Sequence, residues 1–517
     1  MRRPVPSALL ALLLAVAAAL PARAADDDLV DLLQRKGVIS APEAKKVRKA
    51  PLNKEQRDGL VDMLHDKGVL SDAELARVSG KVIIVQPAAA VPPPTAVAAA
   101  PAPAPTGPGA GGGAAAKPSL AQVGYDDGFF AKTADGKWGM KLGGWVSSNF
   151  LFYEPNTTQN NTQTIDRARL TLDVTMYKYF KLRVQNEFGV GSNGLRDAFL
   201  AVTPTPEFNI QVGQFKIPFS YEGLLSKKYI DFVERSAVVT STFNPLRDIG
   251  VMAYGSLFDN VLQYQVAGMN GSGQNRSDPD SDKDVVARLV LAPFTSAGPD
   301  HLRGFNMGGA VTYGYQGKEN VRNADGTTSR VRNSIAGTTD PFFNFYSAVA
   351  RRGYRLRAGT HLAWLDGPLG LVGEYIHTSE ERRGMDANGH DAPNLETDGG
   401  YVNLTYLLTG ETKPFNSRVR PKRPLWNTEN GFGWGAWEAA LRYEGFKLAH
   451  DADSATANEV ENRYQAFVAG INWYPIEVLR FSLNYVYGNF DEAGAGQSPN
   501  PNKHSNNSVL TRVQLEF

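Results

Sequence analysis

From Trp138 onward, apolar and polar residues alternate along most of the chain. In the closing stretch, Val509, Thr511, Val513, Leu515 and Phe517 fall on one side of a strand, and Leu510, Arg512, Gln514 and Glu516 on the other. A period of two is the pattern of a β-strand whose faces meet different surroundings. The same pattern sets Ala168, Leu170, Leu172, Val174 and Met176 against Arg167, Arg169, Thr171 and Asp173, and it returns near Phe180 and near Leu479. About sixteen such segments of roughly ten residues can be marked, the length at which a tilted strand crosses a bilayer. Short connections at 177–179, 203–206, 258–260, 366–368 and 474–477 alternate with long polar ones such as 218–247, 270–282 and 317–351. Short turns at one end and long loops at the other predict an all-β, antiparallel transmembrane barrel over residues 119–517. One long connection, 410–431, falls on the short-turn side.

A soluble β-sandwich would also alternate. Lipid outside the strands is favoured first by the charges at mid-strand on the polar face, which suit a wet lumen. It is favoured next by aromatic residues at strand ends (Tyr177, Tyr179, Phe180, Phe258, Trp364, Trp473, Tyr474), which read as an interfacial girdle. Export is the third argument. Residues 1–24 carry Arg2 and Arg3, an apolar run from Ala8 to Leu20 and the small-x-small site Ala22-Arg23-Ala24, the pattern of a signal peptide. Residues 25–85 repeat "LVDLLQRKGVISAPEAKKV" as "LVDMLHDKGVLSDAELARV", predicting two helical hairpins with capping boxes at Ser40/Glu43 and Ser71/Glu74. Residues 86–118 are dominated by Ala, Pro and Gly, a linker that cannot build a core. The expected location is the outer membrane, with the hairpins in the periplasm.

The 517 residues include no Cys, which excludes disulfides and Cys-based metal sites, and a formal charge of +1 gives no global attraction to nucleic acid. A mean hydropathy of -0.30 is too polar for a helical membrane protein. The seven His are scattered, and no Gly-x-Ser-x-Gly or His-Glu-x-x-His occurs, so neither an enzyme nor a cofactor is expected. Trp145 and Trp434 share the inward parity, too few aromatics for a sugar track.

Charge changes the picture once it is sorted by parity. Lys141, Arg167, Arg169, Lys181, Arg183, Arg288, Arg355, Arg357, Arg442, Arg480 and Arg512 fall on the inward face. Asp173, Glu187, Asp197, Glu374, Glu438, Glu444 and Glu516 oppose them. An excess of Arg and Lys around a narrow low-dielectric passage favours anions. The connection 218–247 adds Lys227, Lys228 and Arg235, diluted by Glu222, Asp231 and Glu234.

Several stretches resemble the phosphate-selective porin O and P family: "DRARLTLDVTMYKYFKLRVQNEF", "RDAFLAV", "IQVGQFKIPFSYEGLLSKKYIDFVERS", "YLLTGE", "GAWEAALRYEGF" and "GINWYPIEVLRFSLNYVYGNF". The resemblance covers roughly residues 138–517 and implies a homotrimer of sixteen-stranded outer-membrane barrels. It implies that the loop 218–247 folds inward and narrows each pore, and that the long turn at 410–431 is a family feature. It further implies an anion site at which Arg235 is the loop arginine, Arg167 the strand arginine facing it, Asp197 the acidic partner and Ser226 a loop hydroxyl. The terminal Phe517 resembles the aromatic signal that barrel-insertion machinery reads. Two departures stand out: Asp166-Arg167 where the family has two arginines, and Ser226-Lys227 where it has two serines. Asp166 has outward parity and is expected near the outer rim. The expected function is an anion-preferring diffusion channel permeable to phosphate or polyphosphate; the alternative is a general or carbohydrate-type porin.

Overall fold

The computed structural model describes residues 120–154, 160–189, 194–242, 246–278, 281–296, 298–316, 330–332, 341–344, 350–383, 394–427, 431–449, 462–490 and 505–517. The expected signal peptide, helical hairpins and linker lie outside the described residues.

Sixteen strands form the barrel: β1 (Trp138–Tyr153), β2 (Thr162–Met176), β3 (Phe180–Glu187), β4 (Gly194–Val202), β5 (Asn209–Lys216), β6 (Arg247–Leu257), β7 (Leu262–Met269) and β8 (Asp284–Leu291), then β9 (Phe305–Gln316), β10 (Ala350–Asp366), β11 (Leu369–Arg383), β12 (Leu395–Leu407), β13 (Ala436–Ala449), β14 (Asn462–Ile476), β15 (Leu479–Phe490) and β16 (Ser505–Glu516). Each pairs antiparallel with the next, and β16 pairs back onto β1, with Ser508 opposite Tyr153 and Glu516 opposite Trp145. Closure removes the free edge that an open sheet would expose to lipid. At the seam, Gly144 and Phe517 exchange backbone hydrogen bonds of 2.8 and 2.9 Å. A Cβ at Gly144 would lie 2.7 Å from the Phe517 ring, so only glycine fits. A two-stranded hairpin, Leu120–Tyr125 with Phe129–Thr133, extends the sheet along the first residues of β1.

Alternation places the apolar face outside. Leu170, Leu200, Val212, Leu441 and Leu515 are exposed on the outer surface, while Leu510, Arg512, Gln514 and Glu516 are buried within. The girdle expectation holds for Tyr177, Tyr179, Phe180 and Phe258, all exposed at the short-turn end. Tyr474 differs: it is buried, and its hydroxyl donates to Glu438 from the lumen side.

The lumen is not wet throughout. The chain from Ile217 to Leu246 folds inward with two short helices, α1 (Tyr221–Leu224) and α2 (Ala237–Thr242). Phe232, Val233 and Val238 of this loop form one buried cluster with Ile376, Tyr401, Phe446 and Tyr464 of β11–β14. Each buried side chain of this kind stabilises by about 1.5–3 kcal/mol, which favours the loop inside the barrel over an extracellular position.

Asp166 corrects a parity argument. The register of β1 against β2 jumps between Ser147–Arg167 and Ser148–Ile165, leaving Asp166 as the extra residue of a β-bulge. A bulge re-aims a side chain. Asp166 therefore points inward beside Arg167, not toward the outer rim, and Ile165 is exposed on the outer face.

Leu441→Arg places a cation on the outward face at the middle of β13. It is expected to destabilise the barrel by about 2–4 kcal/mol if that face meets hydrocarbon. Equilibrium urea unfolding in lipid vesicles measures this, and an unchanged midpoint would contradict a lipid-facing Leu441.

Candidate functional site

A loop inside a barrel has no neighbouring strand to pair with, so its backbone groups need side-chain partners. The wall from β11 to β16 supplies them. Glu374 accepts hydrogen bonds from the Ser220 hydroxyl (3.0 Å), the Tyr221 N–H (2.8 Å), the Glu222 N–H (3.3 Å) and the Tyr401 hydroxyl (2.8 Å). It thereby satisfies the start of α1. Glu444 accepts from the Ala237 N–H at 3.1 Å, where α2 begins. Asn484 accepts from Val233 N–H at 2.7 Å, and Gln514 donates to the Lys228 carbonyl at 3.0 Å.

Several arginines expected to line an open lumen are engaged in the same anchoring or in the wall. Arg442 donates to Glu222, to Asn403 at 2.9 Å and to the Glu234 carbonyl at 3.1 Å. Arg480 donates to the carbonyls of Ile230 (2.8 Å) and Asp231 (3.0 Å). Arg355 and Arg357 both pair with Asp284, at 2.5 and 3.0 Å. Arg288 donates to Gln265 at 3.1 Å, and Arg512 pairs with Asp166 at 2.7 Å. Each points inward, as parity required. Lys181 is exposed near the short-turn end of β3.

A gap lies on the other side, between the loop and β1–β6. Lys141, Arg169, Arg183, Lys216, Lys228 and Arg247 line it, against the carboxylates of Asp127, Asp173 and Asp197. Arg169 is held by Glu187 at 2.7 Å and lies over Trp145. Arg183 pairs with Asp173 at 2.6 Å, Arg247 with Asp197 at 2.7 Å and Lys228 with Glu516 at 3.0 Å. Lys216 donates to the carbonyls of Leu224 (2.8 Å) and Leu225 (2.6 Å). Ser226 lines the gap, and its N–H donates to Asn416 at 2.8 Å. Asn416 belongs to the long connection 408–435, which reaches the loop from the short-turn end. Lys413 of that connection joins Asp231 of the loop to Glu438 of the wall.

Arg235 caps the carbonyl end of α1, donating to Glu222 O at 3.2 Å and Leu225 O at 2.7 Å. Burial lowers its guanidinium to about 10, with Glu222 pulling the other way, so it stays charged at neutral pH. Arg167 sits between Asp166 (3.0 Å) and Glu187 (3.6 Å). The two residues that depart from the family pattern meet in space: Lys227 bridges Asp166 at 3.1 Å and Glu234 at 2.9 Å. Burial, with Arg167 nearby, depresses the Lys227 ammonium to about 8 against the pull of Asp166 and Glu234. Lys216 and Arg247 were not singled out by sequence reasoning, since they fell at the loop boundaries. Their signal was the motif "VGQFKIPF" and the start of β6. Trp434, expected on the inward parity, lies instead in the connection 408–435 and is 75% exposed.

The family model for phosphate-selective porin O and P matches residues 140–517. Porin O of Pseudomonas aeruginosa is 27% identical over 429 residues, covering 75% of this chain and 91% of the relative. An uncharacterized protein of Caulobacter vibrioides is 34% identical over 301 residues, 55% of this chain and 54% of that protein. Among solved structures, OmpT of Vibrio cholerae in its trimer form superposes with a TM-score of 0.46 at 11% identity, covering 74% of this chain and 99% of that one. The family match runs through the barrel, the infolded loop and the cation-lined gap: the chain belongs to the phosphate-selective porin O and P family, and it is an outer-membrane porin.

Proposed function

We propose that the protein is an anion-preferring diffusion channel whose selectivity is set in the gap between the infolded loop and β1–β6. The observation that carries this reading is the lining of the gap, six basic side chains against three acidic ones, with Glu187 and Glu516 pairing Arg169 and Lys228. Arg235 adds weight because its described hydrogen bonds go to the carbonyls of Glu222 and Leu225 and it stays charged at neutral pH. Positive charge in a narrow, low-dielectric passage raises the local anion concentration. The interleaved carboxylates of Asp173 and Asp197 keep each station weak enough to release its ion, as conduction requires. Phosphate and related inorganic anions are the proposed solutes, and the family resemblance supports a homotrimer in outer-membrane lipid, inserted through a signal ending in Phe517.

A specific observation favours broad anion permeation over tight phosphate selection. Asp166 and Lys227 form a bridge where the family pattern would place an arginine and a serine, so this chain exchanges a free positive charge for a neutral pair. In this reading Arg167, Arg169, Lys228 and Arg235 carry the anion contacts, Ser226 supplies a hydroxyl, and Asp197 limits affinity through Arg247.

Planar-bilayer recordings in a chloride gradient test the proposal. The reversal potential is expected on the anion side, with phosphate and polyphosphate reducing chloride current; cation preference would overturn the reading. Arg235→Ala is expected to weaken phosphate block by roughly tenfold, the worth of one hydrogen bond to a charged group, while Arg235→Lys retains most of it. Unchanged block in Arg235→Ala would remove Arg235 from the site.

Lys227 predicts a pH dependence. Its ammonium titrates near 8 rather than at the usual 10.5. Raising the pH through that value therefore removes one positive charge beside Asp166 and Glu234, leaving Asp166 to Arg167 and Arg512. Anion preference is expected to fall between about pH 7 and 9 and to stay level across that range in Lys227→Arg. Reversal potentials measured across the range check it.

A further inference from the structure

The connection 408–435 is long although it lies at the short-turn end, and its distal half has composition unlike the rest. Arg420, Lys422 and Arg423 are followed by Trp426, Phe432 and Trp434. Trp426–Asn427 pairs with Gly431–Phe432 as a small ribbon. Trp426 is 60% exposed and Phe432 79% exposed. Large apolar side chains grouped on a surface mark a contact site.

The ribbon's place is fixed from the outside of the barrel. The Trp434 carbonyl accepts both the Trp437 indole N–H, at 3.1 Å, and the Trp473 indole N–H, at 2.9 Å. These two tryptophans stack on each other, and Trp473 stacks on Phe481, as part of the outward aromatic belt. Leu425 N–H donates to Pro475 O at 2.7 Å, and Gly435 N–H to Arg423 O at 2.9 Å, closing the ribbon's base. Gly435 has φ 68°, and a Cβ there would lie 2.4 Å from the Tyr474 carbonyl, so the base needs glycine.

We propose that this ribbon is a lipid anchor. It continues the aromatic belt into the headgroup region of the leaflet at the short-turn end. Trp426, Phe432 and Trp434 insert among lipids, and Arg420, Lys422 and Arg423 meet lipid phosphates. Two observations choose lipid as the occupant. The ribbon is continuous with the membrane-facing belt through the Trp434 carbonyl, and its base is rich in exposed cations complementary to anionic headgroups. Tryptophan with one polar edge and one apolar face is suited to that boundary.

The absence of cysteine in the chain permits a direct test. Full-length Phe432→Cys is spin-labelled, reconstituted in phosphatidylethanolamine–phosphatidylglycerol vesicles and probed by power saturation with oxygen and a water-soluble nickel chelate. Leu441→Cys serves as the lipid-facing reference and Asp135→Cys, in an exposed turn, as the aqueous one. The expected result is a loss of nickel collisions relative to Asp135→Cys, with oxygen collisions approaching Leu441→Cys. Nickel access equal to that at Asp135→Cys would overturn the proposal. Shielding from both probes that disappears on deleting residues 86–118 would also overturn it, assigning the surface to the chain's own Ala/Pro/Gly linker. Channel conductance of the labelled protein confirms that it has folded.

Discussion

The infolded loop depends on hydrogen bonds between its backbone and the side chains of one lumen wall. Buried peptide groups without partners cost several kcal/mol each in a low-dielectric setting, and a loop inside a barrel cannot draw on a strand ladder. Glu374, Glu444, Asn484 and Gln514 meet that need from β11–β16. Arg442 and Arg480 meet it for the carbonyls. The apolar cluster around Phe232 and Tyr464 then presses the loop against the same wall. A gap lined by β1–β6 remains on the opposite side.

That division sorts the lumen's charges into two kinds. On one side, arginines anchor the loop or share a buried carboxylate, as Arg355 and Arg357 share Asp284. On the other, basic side chains border the gap, most of them paired with a carboxylate, as Arg183 is with Asp173 and Arg247 with Asp197. Even so, six basic side chains face three acidic ones in the lining of this gap, in a chain whose formal charge is +1.

Much of the ladder was legible in the sequence because a strand's side chains alternate strictly, so parity alone assigns a face. It separated Arg442 from Leu441 and Arg512 from Val513. It could not say which groups an inward arginine meets, since partners come from strands far apart in the chain and from the loop. Parity also fails wherever the ladder slips. A single extra residue at Asp166 turned an outward reading into an inward one, and no local sequence cue marks that bulge. Tyr474 shares the inward parity of Asn472, so grouping it with the outward girdle was the error, whereas Trp434 precedes the first residue of β13 and counting by twos does not reach it. Motif resemblance could address Ser226 and Arg235, loop residues that belong to no strand and to which parity does not apply.

The central claim is that the gap beside β1–β6 is the conducting path and carries a positive field. Its most direct test uses Ser226→Cys, a gap-lining position in an otherwise cysteine-free chain. The rate of current block is compared for an anionic and a cationic methanethiosulfonate reagent of similar size. The account predicts faster modification by the anionic reagent; equal rates, or faster modification by the cationic one, would contradict it.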